Sequence, residues 1–302
     1  MNTSPHVTLL ESSRWTDYEL LDTGDGSKLE RFGPYRFVRP EAQAIWRPAL
    51  PSSAWNDVHA EFQSTSEESG GHWKFTKHVD EKWVMSYALE KINSSLRFTA
   101  MTTPGRHLGV FPETAAQWDW MAGLIVSAGR PVKVLNLFGY TGLATLASAA
   151  AGASVTHVDA SKKSVTWARE NQSLSGLDAR PVRWIVDDAV KFVQREGRRG
   201  VKYDGIILDP PKFGRGPKGE VWEVYKSLPE LMESCMTVLS EVPLFFALTV
   251  YAVRASAIHL AYALDDALGS RKGRIDSGEL VMREKSAGRL LSHAVYARWE
   301  SN

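Results

Sequence analysis

The stretch Val132-Lys133-Val134-Leu135-Asn136-Leu137-Phe138-Gly139-Tyr140-Thr141-Gly142 decides how this chain folds. Its apolar run, Val132 to Phe138, reads as a β-strand and breaks at Gly139. Gly142 then opens an Ala-rich segment, Leu143 to Ala151, of high helix propensity. Strand, glycine turn and helix form the opening of a nucleotide-binding βαβ unit, in which small residues let a ligand approach bare backbone. The next strand, Ser154 to Val158, ends in Asp159, 20 positions after Gly139. An acidic residue at about that offset is placed to bind a ribose hydroxyl pair.

The turn lacks the full G-x-G-x-x-G of a dinucleotide site, because residue 137 is Leu and residue 144 is Ala. A pyrophosphate would find an incomplete cradle, which makes a nicotinamide-dependent dehydrogenase a distant reading. A ligand with adenosine and no phosphate asks less of the turn, and S-adenosylmethionine is such a ligand.

Outward from this unit, strand and helix alternate. A helix follows Ser161, and a strand at Arg183 to Val186 leads to Asp187-Asp188-Ala189 and a helix to about Glu196. A strongly apolar strand, Tyr203 to Leu208, ends in Asp209-Pro210-Pro211, and a helix spans roughly Val221 to Leu239. Leu244 to Val250 is a further strand, Ala255 to Leu268 a further helix, and two closing strands, Glu279 to Arg283 and His293 to Trp299, suggest a hairpin. The expected fold class is α/β: a Rossmann-like, doubly wound, mostly parallel sheet of the class I methyltransferase kind. Residues 1–104 read instead as a small β-rich domain, with short strands at Tyr18 to Leu21, Tyr35 to Val38, Trp73 to Phe75 and Leu96 to Met101. Residues 105–302 would then form the cofactor-binding domain. Seven of the eleven tryptophans fall within the first 120 residues. They could stack on bases, but a small domain more readily uses them as its core.

Totals narrow the class. The chain has 302 residues, 43% hydrophobic and 24% charged, which is ordinary for a globular protein of about two domains. No apolar run approaches the roughly 18 residues that would span a bilayer, and the N-terminus lacks a signal-peptide pattern, so a cytoplasmic protein without membrane contact is expected. One cysteine excludes an internal disulfide and a multi-cysteine metal site, and no metal is expected. Charge is uneven: residues 1–120 carry a net −4 and the remainder +5, with eight Lys or Arg between Lys191 and Gly219. Such a cluster could follow phosphates or could be a solvated face.

Ligands of open α/β sheets bind outside the carboxyl ends of the strands. Three consecutive strands here end in acids, and these suit one adenosine-type ligand: Asp159 for the ribose, Asp188 for the adenine amino group, Asp209 beside the reacting centre. The two prolines after Asp209 stop the strand ladder and fix a rigid turn whose backbone carbonyls could point into the pocket. A carboxylate and a carbonyl there could orient an amine or ring N–H toward a methyl donor.

With both motifs in place, Asn136-Leu137-Phe138-Gly139-Tyr140-Thr141-Gly142 and Asp209-Pro210-Pro211-Lys212-Phe213, the chain resembles the class I S-adenosylmethionine-dependent methyltransferases related to the bacterial large-subunit ribosomal RNA 5-methylcytosine methyltransferases. Trp167-Ala168-Arg169-Glu170-Asn171 and a divergent His107-Leu108-Gly109-Val110-Phe111-Pro112-Glu113 extend the resemblance over roughly residues 105–300. It implies S-adenosyl-L-methionine as cofactor, held by Asn136, Phe138, Gly139, Tyr140, Thr141, Gly142, Asp159, Ala160, Asp188, Ala189 and Asp209. The chain departs from the family where the nucleophilic cysteine belongs: Leu248-Thr249-Val250-Tyr251-Ala252-Val253-Arg254 contains none. Cys235, the single thiol, sits at core-facing helical spacing. C5 of cytosine becomes nucleophilic only after covalent attack at C6, so a nitrogen acceptor is expected instead.

Asp209, Pro210, Pro211, Lys212 and Phe213 are the expected catalytic residues, and Lys212, Phe213, Arg215 and Lys218 the expected substrate contacts. Glycines in the loop from Lys212 to Gly219 would give mobility, cations could meet phosphates, and Phe213 could stack on an extruded base. The expected partner is RNA, ribosomal RNA first, with a role in rRNA processing. A small-molecule methyltransferase and a non-catalytic RNA-binding or assembly factor that keeps the cofactor pocket stay open. The oligomeric state cannot be read.

Overall fold

A computed structural model describes residues 6–65, 70–251 and 255–302. The N-terminal part runs β1 (Val7–Glu11), β2 (Tyr18–Gly24), β3 (Ser27–Phe32), β4 (Tyr35–Pro40), the short helix α1 (Ser52–Asn56), β5 (Ala60–Ser64), β6 (Gly71–Phe75), β7 (Trp83–Leu89) and β8 (Ser94–Ala100). Strands β2 to β6 form one five-stranded sheet in chain order, and β7 pairs with β8 as a hairpin. Both Trp15 and Trp83 are core residues. Trp15 lies among Tyr18, Tyr87, Phe98 and Trp118, and Trp83 stacks on Phe37 at 5.7 Å.

The sequence pattern did not show β1, β3, β5 or β7. In β3 the reason is visible: Lys28 and Glu30 look like turn residues, yet both are buried. Glu30 accepts two hydrogen bonds from Arg39, at 2.7 and 2.8 Å, and one from the Tyr18 hydroxyl at 2.9 Å. A buried carboxylate so paired is stable in a strand, where its charge alone would forbid it.

The C-terminal part runs α2 (Ala115–Ser127), β9 (Lys133–Leu137), α3 (Leu143–Ala150), β10 (Ser154–Asp159), α4 (Lys162–Leu174), β11 (Val182–Val186), α5 (Ala189–Arg198), β12 (Gly205–Leu208), β13 (Phe213–Arg215), β14 (Val221–Glu223), α6 (Val224–Val238), β15 (Phe245–Val250), α7 (Ala257–Leu268), β16 (Gly273–Arg283) and β17 (Leu290–Ser301). Eight strands form one sheet in the order β1-β16-β17-β15-β12-β9-β10-β11. Its strands are parallel except β17, which enters antiparallel between β15 and β16. Strand β12 is buried at every position, as is β15, which is why both read as continuous apolar runs. Alternate side chains serve two cores: Val134 and Phe245 pack on the side of α2, α3 and the N-terminal sheet, and Leu135 and Phe246 on the side of α5 and α6.

Elements on either side of residue 104 are bonded together. β1 pairs in parallel with β16. β8 is held to α4, where the Thr99 amide donates to Asn171 Oδ1 (2.9 Å) and Trp167 Nε1 donates to the Thr99 carbonyl (3.1 Å).

Candidate active site

Register brings the carboxyl ends of three strands level, because Leu137 lies opposite both Val158 and Leu208. The turns after β9, β10 and β12 therefore sit side by side at one edge of the sheet. Phe138, Tyr140 and Gly142 all adopt left-handed backbone, with φ of 58°, 47° and 87°. Two non-glycine residues in that region mark a turn held by its surroundings. A Cβ at Gly139 would lie 2.3 Å from the His157 ring, and one at Gly142 would lie 2.8 Å from the Ala168 side chain. The turn can therefore stay this tight only with glycine at both places.

The turn is fastened from below and from the side. Asn136 Nδ2 donates to Thr145 Oγ1 (2.9 Å), which lies 2.9 Å from His157 Nδ1. Burial pushes the His157 pKa down to about 3, which keeps its ring neutral. Thr141 Oγ1 donates to the Gly109 carbonyl (2.7 Å), which locks the segment before α2 onto the turn.

Asp159 closes the far side. Its Oδ2 accepts from the Tyr140 amide (2.9 Å) and its Oδ1 from the Ser161 amide (2.8 Å). Burial raises its pKa in spite of these two bonds. Each oxygen keeps a further lone pair for a hydroxyl donor. Asn136, Phe138, Gly139, Tyr140, Thr141 and Asp209 line one cleft. Gly142, Asp159 and Ala160 are not among the residues that line it. Asp188 caps α5, its Oδ1 accepting from the Lys191 amide (2.9 Å), and Ala189 is buried in the core beneath it.

Asp209 is the most unusual group of the cleft. Its Oδ1 is buried and has no partner among the described residues. Burial, and then the nearby Glu113 carboxylate, push its pKa up to about 8. Burial likewise raises Glu113 and lifts the phenol of Tyr251 well above its ordinary value. Sequence reasoning missed Glu113, Gln117, Trp222 and Tyr251. The one available signal for Gln117 was its place, with Asp119, as a polar residue in a mostly apolar helical run.

Two expectations about the motif after β12 are corrected. The Pro211 carbonyl does not face the cleft: it accepts from Trp222 Nε1 at 2.7 Å. Nor is Lys212 to Gly219 a loose loop. Phe213 pairs with Glu223 and Arg215 with Val221 in the β13–β14 hairpin, closed by the Gly216 N–H donating to the Glu220 carbonyl (2.8 Å). Trp222 is buried and meets Phe138 at 4.8 Å, so the hairpin rests on the glycine turn. The Lys212 ammonium lies 5.3 Å from the centre of the Phe213 ring. Arg215 and Lys218 are exposed, and their side chains make no ion pair among the described residues.

Much of the remaining basic cluster is internally matched. Lys191 pairs with Glu220 (2.7 Å), Arg195 with Asp187 (2.6 Å) and Arg199 with Glu196 (3.2 Å). Cys235 is fully buried and its thiol pKa is raised by that burial, as packing requires. Of the stretch after β15, Ala252, Val253 and Arg254 lie outside the described residues.

The eight-stranded sheet with its inserted antiparallel strand, and a cleft at its carboxyl edge lined by the glycine turn and Asp209, define a class I methyltransferase. The family model for S-adenosylmethionine-dependent methyltransferases matches residues 71–265, and the chain belongs to that family. A SAM-dependent methyltransferase from Agrobacterium tumefaciens is 45% identical, with a TM-score of 0.91 over 100% of this chain and 98% of that one. Ribosomal RNA large subunit methyltransferase K/L of Shewanella frigidimarina is 34% identical over 119 residues, 39% of this chain and 16% of the relative. Ribosomal RNA large subunit methyltransferase I of Klebsiella pneumoniae is 39% identical over 82 residues, 27% of this chain and 20% of the relative. The match thus spans about a sixth to a fifth of the length of these two curated relatives.

The cleft fits the cofactor's chemistry. Asp159 retains acceptor capacity for ribose hydroxyls, and the orphaned Asp209 Oδ1 lacks a donor that a bound ligand can supply. Among the described residues no helix is long and apolar enough to cross a membrane.

Proposed function

We propose that this methyltransferase modifies a base of RNA, ribosomal RNA foremost, on a nitrogen atom, and acts in the cytoplasm where that substrate resides. Bound S-adenosylmethionine supplies an electrophilic methyl group on a sulfonium. Asp159 holds the ribose hydroxyls and Asp188 the adenine amino group, while the turn from Phe138 to Gly142 offers backbone to the rest. An acceptor nitrogen then needs alignment with the methyl and exclusion of water more than it needs covalent help.

Asp209 is suited to orient that nitrogen and take its proton, since a carboxyl with a pKa of about 8 can exchange protons near neutrality. The burial of Cys235, the one cysteine of the sequence, supports an acceptor that needs no thiolate. The observation that carries the RNA reading is Phe213. It is an aromatic side chain 55% exposed, on an ordered hairpin directly after Asp209-Pro210-Pro211. It can stack on an extruded base while Lys212, Arg215 and Lys218 meet flanking phosphates. The curated relatives named above support the same substrate class.

Transfer of labelled methyl from the cofactor to total RNA tests the reading. Wild type should label RNA, and Phe213→Ala should lower the rate about tenfold or more through loss of stacking. Label entering a small-molecule extract and not RNA would overturn it. That outcome is favoured by one observation, the internal pairing of Lys191, Arg195 and Arg199.

A further inference from the structure

A second concavity lies outside the cleft, between the β7–β8 hairpin and α4, with a volume of about 310 Å³. Lys82 precedes β7, Met101 follows β8, and Lys162, Lys163, Trp167 and Glu170 belong to α4; all six line it. Three lysines thus meet a single carboxylate there, Glu170, which lies 3.4 Å from the Lys82 ammonium. Lys162 and Lys163 are exposed and make no ion pair among the described residues, unlike Lys191, Arg195 and Arg199 around α5. Both also occupy the first turn of α4, where the positive end of the helix dipole disfavours a cation, so the helix itself does not explain them.

The groove adjoins the cleft. Trp167 forms part of its wall and meets Tyr140, which lines the cleft, at 6.2 Å. Strand β10, whose turn leads to Lys162, and strand β12, whose turn leads to the β13–β14 hairpin, lie on either side of β9. The groove therefore stands on one flank of the glycine turn, and Arg215 and Lys218 on the other. A ligand that suits this arrangement is an extended polyanion, with charges beyond the reach of the cleft and one unit delivered to the methyl donor. Lysine acts on phosphate as a point charge and asks no fixed geometry of it, which fits a flexible backbone. We propose that the groove holds phosphates of the RNA strand whose base enters the cleft, so that the strand crosses the carboxyl edge from Lys82, Lys162 and Lys163 to Arg215 and Lys218. The inference rests on the RNA reading above and adds where the strand runs. An acidic protein would also meet three lysines, but it has no base to place in the adjoining cleft.

Filter binding of end-labelled ribosomal RNA to the full chain, over a range of salt, tests the path. Lys82→Gln, Lys162→Gln and Lys163→Gln combined should weaken binding about tenfold or more near ~0.1 M salt. The slope of log K against log salt should fall by about 2, as loss of three phosphate contacts to a single strand requires. S-adenosylhomocysteine affinity and melting temperature should stay at wild-type values, and the corresponding triple Lys→Arg variant should keep the wild-type slope. Wild-type affinity in the Gln variant would overturn the proposal and leave the groove to an acidic protein, while the RNA reading stood. Weaker binding with an unchanged slope would overturn it too, because the lost contacts would not be to phosphates. No RNA binding by wild type would overturn both the path and the RNA reading.

Discussion

Two buried carboxylates in this molecule have been driven in opposite directions. Glu30 lies inside the N-terminal sheet with Arg39, Tyr18 and Lys28 around it, and its pKa is lowered to about 2; burial is the largest single influence and raises it, but the charges of Arg39 and Lys28 and the Arg39 hydrogen bonds together outweigh burial. Asp209 lies at the cleft with no cation beside it and one oxygen unpaired, and burial raises it to about 8. The first site is complete within the chain and serves the fold. The second is incomplete among the described residues, as the proposed ligand site requires. Satisfaction of buried polar groups therefore separates the structural acid from the proposed functional one better than sequence position does.

The largest effect expected from breaking this contrast is at Arg39. Arg39→Leu leaves Glu30 buried without its principal partner and should cost about 3–5 kcal/mol in denaturant unfolding. The same pair predicts acid sensitivity. Because Glu30 titrates lower in the fold than in the open chain, its stabilisation is present above pH 4.5 and is lost as pH falls toward 2. Arg39→Leu should flatten that acid limb.

Asp209 predicts the opposite sign with a smaller amplitude. A carboxyl raised in the folded state costs nothing below pH 3.8, costs progressively more up to about 8, and then a constant amount. Asp209→Asn should therefore stabilise the ligand-free protein, by about 1–3 kcal/mol at pH 9 and by less at pH 5, while losing methyl transfer. A variant stabilised equally at both pH values would show that Asp209 is not held as a strained acid.

The glycine turn was legible in the sequence because its constraints are local. Gly139 and Gly142 are required by contacts within one βαβ unit, with His157 and Ala168. Strands β12 and β15 were legible because burial on both faces leaves a nearly continuous apolar run. What escaped depends on distant partners. β1 pairs with β16 some 270 positions away, β3 hides its charges against β4 and Tyr18, and the β13–β14 hairpin was obscured by glycines that form its turn. Gln117 could be seen as polar in the sequence, but only the fold distinguishes it, with neither amide atom paired among the described residues, from Asp119, which accepts from Tyr87 and Glu90.

The most direct test of the central claim is calorimetric titration of S-adenosylhomocysteine into wild type and Asp159→Ala. Micromolar binding to wild type, weakened at least about tenfold in the variant, is the predicted result. Equal binding by the two proteins, or none by wild type, would contradict the placement of the cofactor on the turn from Phe138 to Gly142.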